Sequence, residues 1–396
     1  MPWGSSTISK APVLLPEEPE VIVRGNGCRI WDDQGREFID FRNSLGPVTL
    51  GYRYPAVDEA IRRQLENGIS FGHPHPLELE AAELICDLVP GAEQARFLKT
   101  GGEALAATIR MARAHTGRDH IVHIGYNGWL NALAPGGPVL PGRQATDLPG
   151  VPAAIAGLHH RASWNDAAGV DALLDEHEGQ VAAIMVAADY ATMALGADFY
   201  PQLRALADAA GALLIYDEIV TGFRIALGGA QEYFGVLPDL AVFSKGIANG
   251  MPISAYVGRR DVMAACGPGG VTVSSTFGGE TLSLAAAIAC MTTYRDHDVV
   301  QHLWDTGQRM WSGLNSIFTE SGIPLQIKGF WPCPTFTTVD GTDAGQWLTP
   351  FVRMAFKHGV SLYTVPYVNF SHSAQDIDEA LERLGKACAE LSTTAR

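Results

Sequence analysis

Along the chain, alternating, helically spaced and continuous apolar positions follow one another in an order that predicts a layered α/β protein. Residues 1–20 are rich in Pro and Ser, have no period, and read as an arm. Val21 to Phe41 alternates as two short strands around the turn Asp32-Asp33-Gln34-Gly35. Ala56–Leu65 and Pro76–Leu88 carry apolar residues at helical spacing. Thr100-Gly101-Gly102 introduces a helix over Glu103–Thr116, with Leu105, Ile109 and Ala112 on one face and Gly117 as its stop. His120–Ile124 reads as a strand. Val181–Ala187, Ala212–Tyr216 and Leu240–Phe243 are short unbroken apolar runs, the mark of strands covered on both faces. A helix over Pro201–Ala210 lies among them, and this alternation implies βαβ units and a parallel sheet.

The C-terminal third changes character. Leu282–Tyr294 and Val299–Ser321 are helical, Thr335–Val339 is strand-like, and Asp376–Leu391 is an amphipathic helix. This predicts a smaller α+β domain that shares the early strands of residues 21–41. The expected division is 1–55 as arm and small-domain strands, 56–285 as large domain, and 286–396 as small domain. There is no internal repeat and no low-complexity tract.

Composition narrows the function. The chain has 396 residues, 47% of them hydrophobic, so it can bury a sizeable core. Its net charge of −15, without a Lys/Arg cluster, argues against nucleic-acid binding. The N-terminus lacks the pattern of a secretory signal, and no long uncharged apolar run predicts a membrane span. The six cysteines never approach CxxC spacing, so neither a metal site nor a redox dithiol is expected. They read as small buried hydrophobes, and a cytoplasmic location is the expectation.

Chemistry concentrates where apolar runs end. Asp217 closes ALLIYD and Lys245 closes LAVFSK, each just past the carboxyl edge of a predicted strand, where α/β sheets bind ligands. A lysine there, beside a carboxylate, is a Schiff-base nucleophile; a loop lysine snorkelling to solvent is the plain alternative. Gly101-Gly102 opens a helix and offers backbone N–H groups to a phosphate, or is only a tight turn. Tyr126 follows His120–Ile124, placed either to stack on a flat ring or to pack in a core. Ser274-Ser275-Thr276 supplies hydroxyls ahead of a helix, for phosphate contact or for capping.

These residues carry a resemblance. The segments WDDQGREFIDF, LKTGGEALAATIRMARAHTGRDHIV, LLIYDEIVTGFR, FSKGIANGMPISAYVGRRDVM, STFGGETLSLAAA and HSAQDIDEAL stand in the order found in class III aminotransferases. The sequence resembles these fold-type I pyridoxal-phosphate (PLP) enzymes, nearest to the glutamate-1-semialdehyde aminomutase-like branch. The resemblance implies a large domain with a mostly parallel seven-stranded sheet covered by helices, and a smaller α+β domain built from both chain ends. It implies PLP held on Lys245 as a Schiff base, and Asp217 on the pyridine nitrogen. Ile219 and Tyr126 would lie on the two ring faces. Gly101 and Gly102 would hold the phosphate, with Thr276 reaching it from the neighbouring subunit of a homodimer. Arg42, in FRNSLGP, stands where relatives carry a substrate-side segment; a surface ion pair is its alternative. His73, His75 and Trp129 are further pocket walls, although a histidine in GHPHP also reads as loop structure.

Several positions depart from the family pattern. Thr100-Gly101-Gly102 replaces Ser-Gly-Thr, and Tyr126-Asn127-Gly128 replaces Tyr-His-Gly, which removes an imidazole near the substrate. Ala187-Ala188-Asp189 replaces a Glu-Pro ending, and Gly279-Glu280-Thr281 replaces Gly-Asn-Pro. No counterpart of the carboxylate-gripping arginine stands around Tyr363–Pro366. The expectation is an aminotransferase moving nitrogen from an amino donor to an aldehyde or ketone on a sugar, cyclitol or other secondary metabolite. The alternatives are an intramolecular aminomutase and an inactive binding subunit.

Overall fold

In the computed structural model, which describes residue 1 and residues 4–130, 150–339 and 344–394, the continuous apolar runs form the interior of one sheet. Every residue of Val181–Ala187 and of Leu240–Phe243 is buried. The strands in chain order are β1 (Ile22–Asn26), β2 (Arg29–Asp32), β3 (Glu37–Asp40), β4 (Gln94–Leu98), β5 (His120–Ile124), β6 (His159–Ala162), β7 (Val181–Ala187), β8 (Leu213–Asp217), β9 (Leu240–Phe243), β10 (Ser254–Gly258), β11 (Leu325–Lys328), β12 (Thr335–Thr338) and β13 (Val360–Ser361). Two compact units result, Pro55–Val300 and the pair Met1–Tyr54 with Gln301–Arg396.

The first of these holds a seven-stranded sheet in the order β4-β10-β9-β8-β7-β5-β6. Strands β5 to β9 pair in parallel, whereas β10 runs antiparallel to both β9 and β4. The mixed sheet therefore has six strands in one direction and one against them. Helix Gly101–Thr116 buries Leu105, Ile109, Met111 and Ala112 among Ile215, Val242 and Val262. Helix Thr281–Asp296 packs on Pro55–Leu65 and on Pro76–Leu88, so residues 285 and 286 lie inside one helix of this unit.

The other unit joins the two chain ends. Its sheet runs β1-β2-β3-β13, with Val360 opposite Ile39 in a parallel pair. Three strands stand where the alternation over Val21–Phe41 predicts two, because Gly27 takes a left-handed conformation (φ 57°) and turns the chain between β1 and β2. Arg29 binds Glu37, Asp376 and Glu379 at 2.6–2.7 Å, tying the N-terminal strands to helix Ala374–Thr394. All six cysteines are free. Among the described residues no helix is long and apolar enough to cross a membrane.

Candidate active site

Parallel pairing brings five strand ends, those of β5 to β9, to one edge of the sheet. Asp217 ends β8 and lies in register with Ala187 on one side and Val242 on the other. Lys245 follows β9 by two residues at the same edge. Its backbone is left-handed (φ 46°), which costs a non-glycine residue roughly 1–3 kcal/mol and persists only where the surroundings impose it. They do so here. The turn Lys245–Ala248 has Gly246, Ile247 and Ala248 buried, and Tyr294 Oη donates to Gly246 O at 2.8 Å.

Burial pushes the Asp217 carboxyl up to about 6; the Ile219 N–H (3.0 Å to Oδ1), the Lys245 charge and the Asn127 side chain act against it. The adjoining Glu218 is fully buried, raised to about 7 by desolvation. It accepts from Thr221 Oγ1 and from the N–H groups of Ala230 (2.9 Å) and Gln231 (3.1 Å), which gives it a structural task.

The helix start approaches the same place. Thr100 and Glu103 form a reciprocal cap, with the Thr100 N–H donating to Glu103 Oε2 at 2.8 Å. A Cβ on Gly101 would stand 2.3 Å from Ile219 Cδ1, so a side chain here forces Ile219 to shift. The Gly101 and Gly102 N–H groups are first-turn donors with no intrahelical acceptor. Asp217, Lys245, Ile219, Gly101 and Gly102 thus gather at one edge, and Asn127 joins them. It is completely buried, with Oδ1 3.1 Å from His123 Nδ1; its amide nitrogen makes no hydrogen bond of ordinary length, and the acceptor it acts on is the Asp217 carboxyl.

Tyr126 and Trp129, just beyond β5, are 60% and 80% exposed. His73 and Thr276 are also exposed, and Phe277 beside Thr276 is 57% exposed. Arg42 belongs to the other unit and grips the N-terminal arm, donating to Glu18 Oε1 at 2.9 Å and to Ser9 O at 2.6 Å. Beyond it Asn43, Ser44 and Leu45 all have positive φ, braced by Asn43 hydrogen bonds to Tyr367 O and Asn369. Glu280 caps helix Thr281–Asp296 and binds Lys99 Nζ at 2.7 Å, so the departure at that position builds a local ion pair. A groove of about 550 Å³ between Pro55–Leu65 and Thr281–Asp296 contains none of the site residues.

The Aminotransferase class-III family profile matches residues 15–388. The chain belongs to that family. Solved structures agree over nearly the whole chain. The FumI protein of Sphingopyxis sp. MTA144, in a PLP form, is 26% identical with a TM-score of 0.86, over 95% of this chain and 89% of that one. An omega-transaminase from Sphaerobacter thermophilus is 26% identical with a TM-score of 0.86, over 98% and 94%. A beta-phenylalanine aminotransferase from Variovorax paradoxus is 25% identical with a TM-score of 0.80, over 92% and 86%. The chain is a class III aminotransferase with the fold-type I architecture, and the cofactor of these enzymes is PLP. Its own residues fit that group: a carboxylate for the pyridine nitrogen, a strained lysine for the aldehyde, and a side-chain-free helix start for the phosphate.

Position in the sequence signalled Asp217, Lys245, Gly101 and Gly102, and the resemblance implied Ile219; neither signalled a role for Asn127 or the histidines behind it. His120, His160 and His177 also gather, their ring nitrogens within 4.8 Å. The His160 and His177 rings lie face to face, with centroids 3.9 Å apart and planes at 28°, so their in-plane lone pairs do not converge on a metal.

Proposed function

We propose that this aminotransferase carries nitrogen from an amino donor to an aldehyde or ketone acceptor, using Lys245, Asp217 and the Gly101-Gly102 helix start. The observation that carries the reading is the meeting of Asp217 and Lys245 at the carboxyl edge of β8 and β9. Bound there, PLP supplies an electron sink for the carbon that loses a proton. Lys245 Nζ would hold the cofactor's aldehyde and would serve as the base that moves the proton at the substrate carbon. Asp217, as a carboxylate, keeps the pyridine nitrogen protonated. Ile219 and Tyr126 would hold the ring, and Gly101 and Gly102 would donate to the phosphate. Thr276 donates to that phosphate from the second subunit of a homodimer, which accounts for its exposure beside Phe277.

The family's grip on an α-carboxylate has no counterpart around Tyr363–Pro366, and Ala187-Ala188-Asp189 leaves small side chains beside Asp217. Both features support an acceptor recognised by something other than an amino-acid carboxylate, such as a sugar or cyclitol carbonyl. A donor-by-acceptor screen following conversion of the bound cofactor to its amine form tests this. Turnover with an amino donor and a separate carbonyl acceptor is expected. Turnover of one amino-aldehyde substrate alone, with no acceptor accepted, contradicts it.

A further inference from the structure

Behind Asp217 lies a run of buried polar groups. Arg113 NH2 stands 3.4 Å from His159 Nε2, His159 Nδ1 is 2.7 Å from His123 Nε2, and His123 Nδ1 is 3.1 Å from Asn127 Oδ1. His123 and His159 project from one face of the β5–β6 pair, His120 and His160 from the other. Asn127 and His123 are completely buried, and His159 is nearly so.

The polarity of this run follows from chemistry. A guanidinium only donates. Arg113 therefore fixes His159 Nε2 as acceptor and leaves its proton on Nδ1, which donates to His123 Nε2. The proton of His123 is then also on Nδ1, donating to Asn127 Oδ1. That interaction turns the amide nitrogen of Asn127 to its other side, where it meets no acceptor at ordinary hydrogen-bond length except through its pull on the Asp217 carboxyl. β5 ends next to Ala187, because a Cβ on Gly125 would stand 2.9 Å from Ala187 O, and Ala187 is in register with Asp217. Burial pushes both rings far below the usual histidine range, to about 4 for His123 and about 2 for His159, so both are neutral, as the run requires.

We propose that Arg113, His159, His123 and Asn127 form a one-directional relay of hydrogen bonds, beginning at a cation and ending with an amide N–H aimed at Asp217. The relay positions Asp217 and holds it as a carboxylate. These are positioning residues, since none touches the reacting atoms. The replacement of an imidazole by Asn127 then has a purpose. An amide here passes a donor forward while accepting from His123, and both of its polar ends are set by neighbours. The proposal rests on the reading of Asp217 as the partner of the pyridine nitrogen.

The test uses the enzyme with ¹⁵N in its histidines and reconstituted with PLP carrying ¹⁵N in the pyridine ring. Long-range ¹H–¹⁵N spectra are expected to show the Nδ1–H tautomer for both His123 and His159, with or without cofactor. An Nε2–H form of either ring overturns the relay. Asn127→Leu, which keeps the branching but removes both polar ends, is expected to shift the pyridine ¹⁵N resonance toward the unprotonated position and to slow turnover roughly ten- to a hundred-fold, as for a lost hydrogen bond to a charged group. An unchanged resonance in Asn127→Leu overturns the relay's effect on Asp217. Arg113→Met, at the exposed end of the run, removes the guanidinium and is expected to release His159 into mixed tautomers; a retained Nδ1–H form contradicts its role. A wild-type pyridine nitrogen that is itself unprotonated overturns the reading of Asp217, while the tautomers still report separately on the relay.

Discussion

At the scale of single residues, Asp217, proposed as the partner of the pyridine nitrogen, is held in place at a cost in stability. Its carboxyl titrates at about 6 instead of 3.8, because burial disfavours its charge. A raised acid pKa means that the folded state binds the proton more tightly than the unfolded one. The contribution of Asp217 to cofactor-free stability is therefore fully present below about pH 4 and lost as pH rises through about 6. Asp217→Asn cannot ionise and is expected to melt above the wild-type apoenzyme at pH 7, with the two converging near pH 4. Thermal melts across this range check it. The same variant is expected to retain PLP yet turn over far more slowly, because its pyridine nitrogen loses the carboxylate partner. A slope in the difference with the opposite sign would show that Asp217 is not a strained, desolvated acid.

At the scale of elements, the legible parts were those with a clean pattern: helical spacing over Pro76–Leu88, and unbroken apolar runs in strands buried on both faces. Pro76–Leu88, His120–Ile124, Val181–Ala187 and Leu240–Phe243 have the same limits in structure and sequence. Strands β4 (QARFL) and β6 (HHRA) lie at the sheet margins and mix charged or polar residues with apolar ones, so no continuous apolar run marks them. In β10 (SAYVG) every residue is buried, but Ser254, Ala255 and Gly258 are too small to stand out. Asp217 and Lys245 were legible because each ends an apolar run. The relay was not, since its members lie on three elements and meet only when β5 pairs with β6. Gly101 tests the helix start. Its missing Cβ leaves room for Ile219 Cδ1, and Gly101→Ala is expected to cost about 1–3 kcal/mol by overpacking and to weaken cofactor retention. Adding Ile219→Val removes the clashing atom and is expected to recover part of the loss. Thermal melts of single and double variants measure that coupling, and strict additivity would contradict the packing argument.

At the scale of the whole molecule, an exposed Thr276 and an exposed Phe277 make sense in a site shared across a two-fold axis. Mixing Lys245→Ala subunits with Thr276→Ala subunits is expected to restore activity, since each heterodimer then pairs one doubly damaged site with one intact site. Activity that stays flat after verified subunit exchange contradicts the shared site. The central claim, that Lys245 is the residue holding the cofactor, has a more direct test. The chain has six lysines, and the other five are Lys10, Lys99, Lys328, Lys357 and Lys386, so peptide mapping separates them cleanly. Borohydride reduction of the PLP-loaded enzyme, followed by peptide mass mapping, is expected to find one cofactor adduct per chain, on Lys245. An adduct on any of the other five, or no adduct at all, would contradict the account.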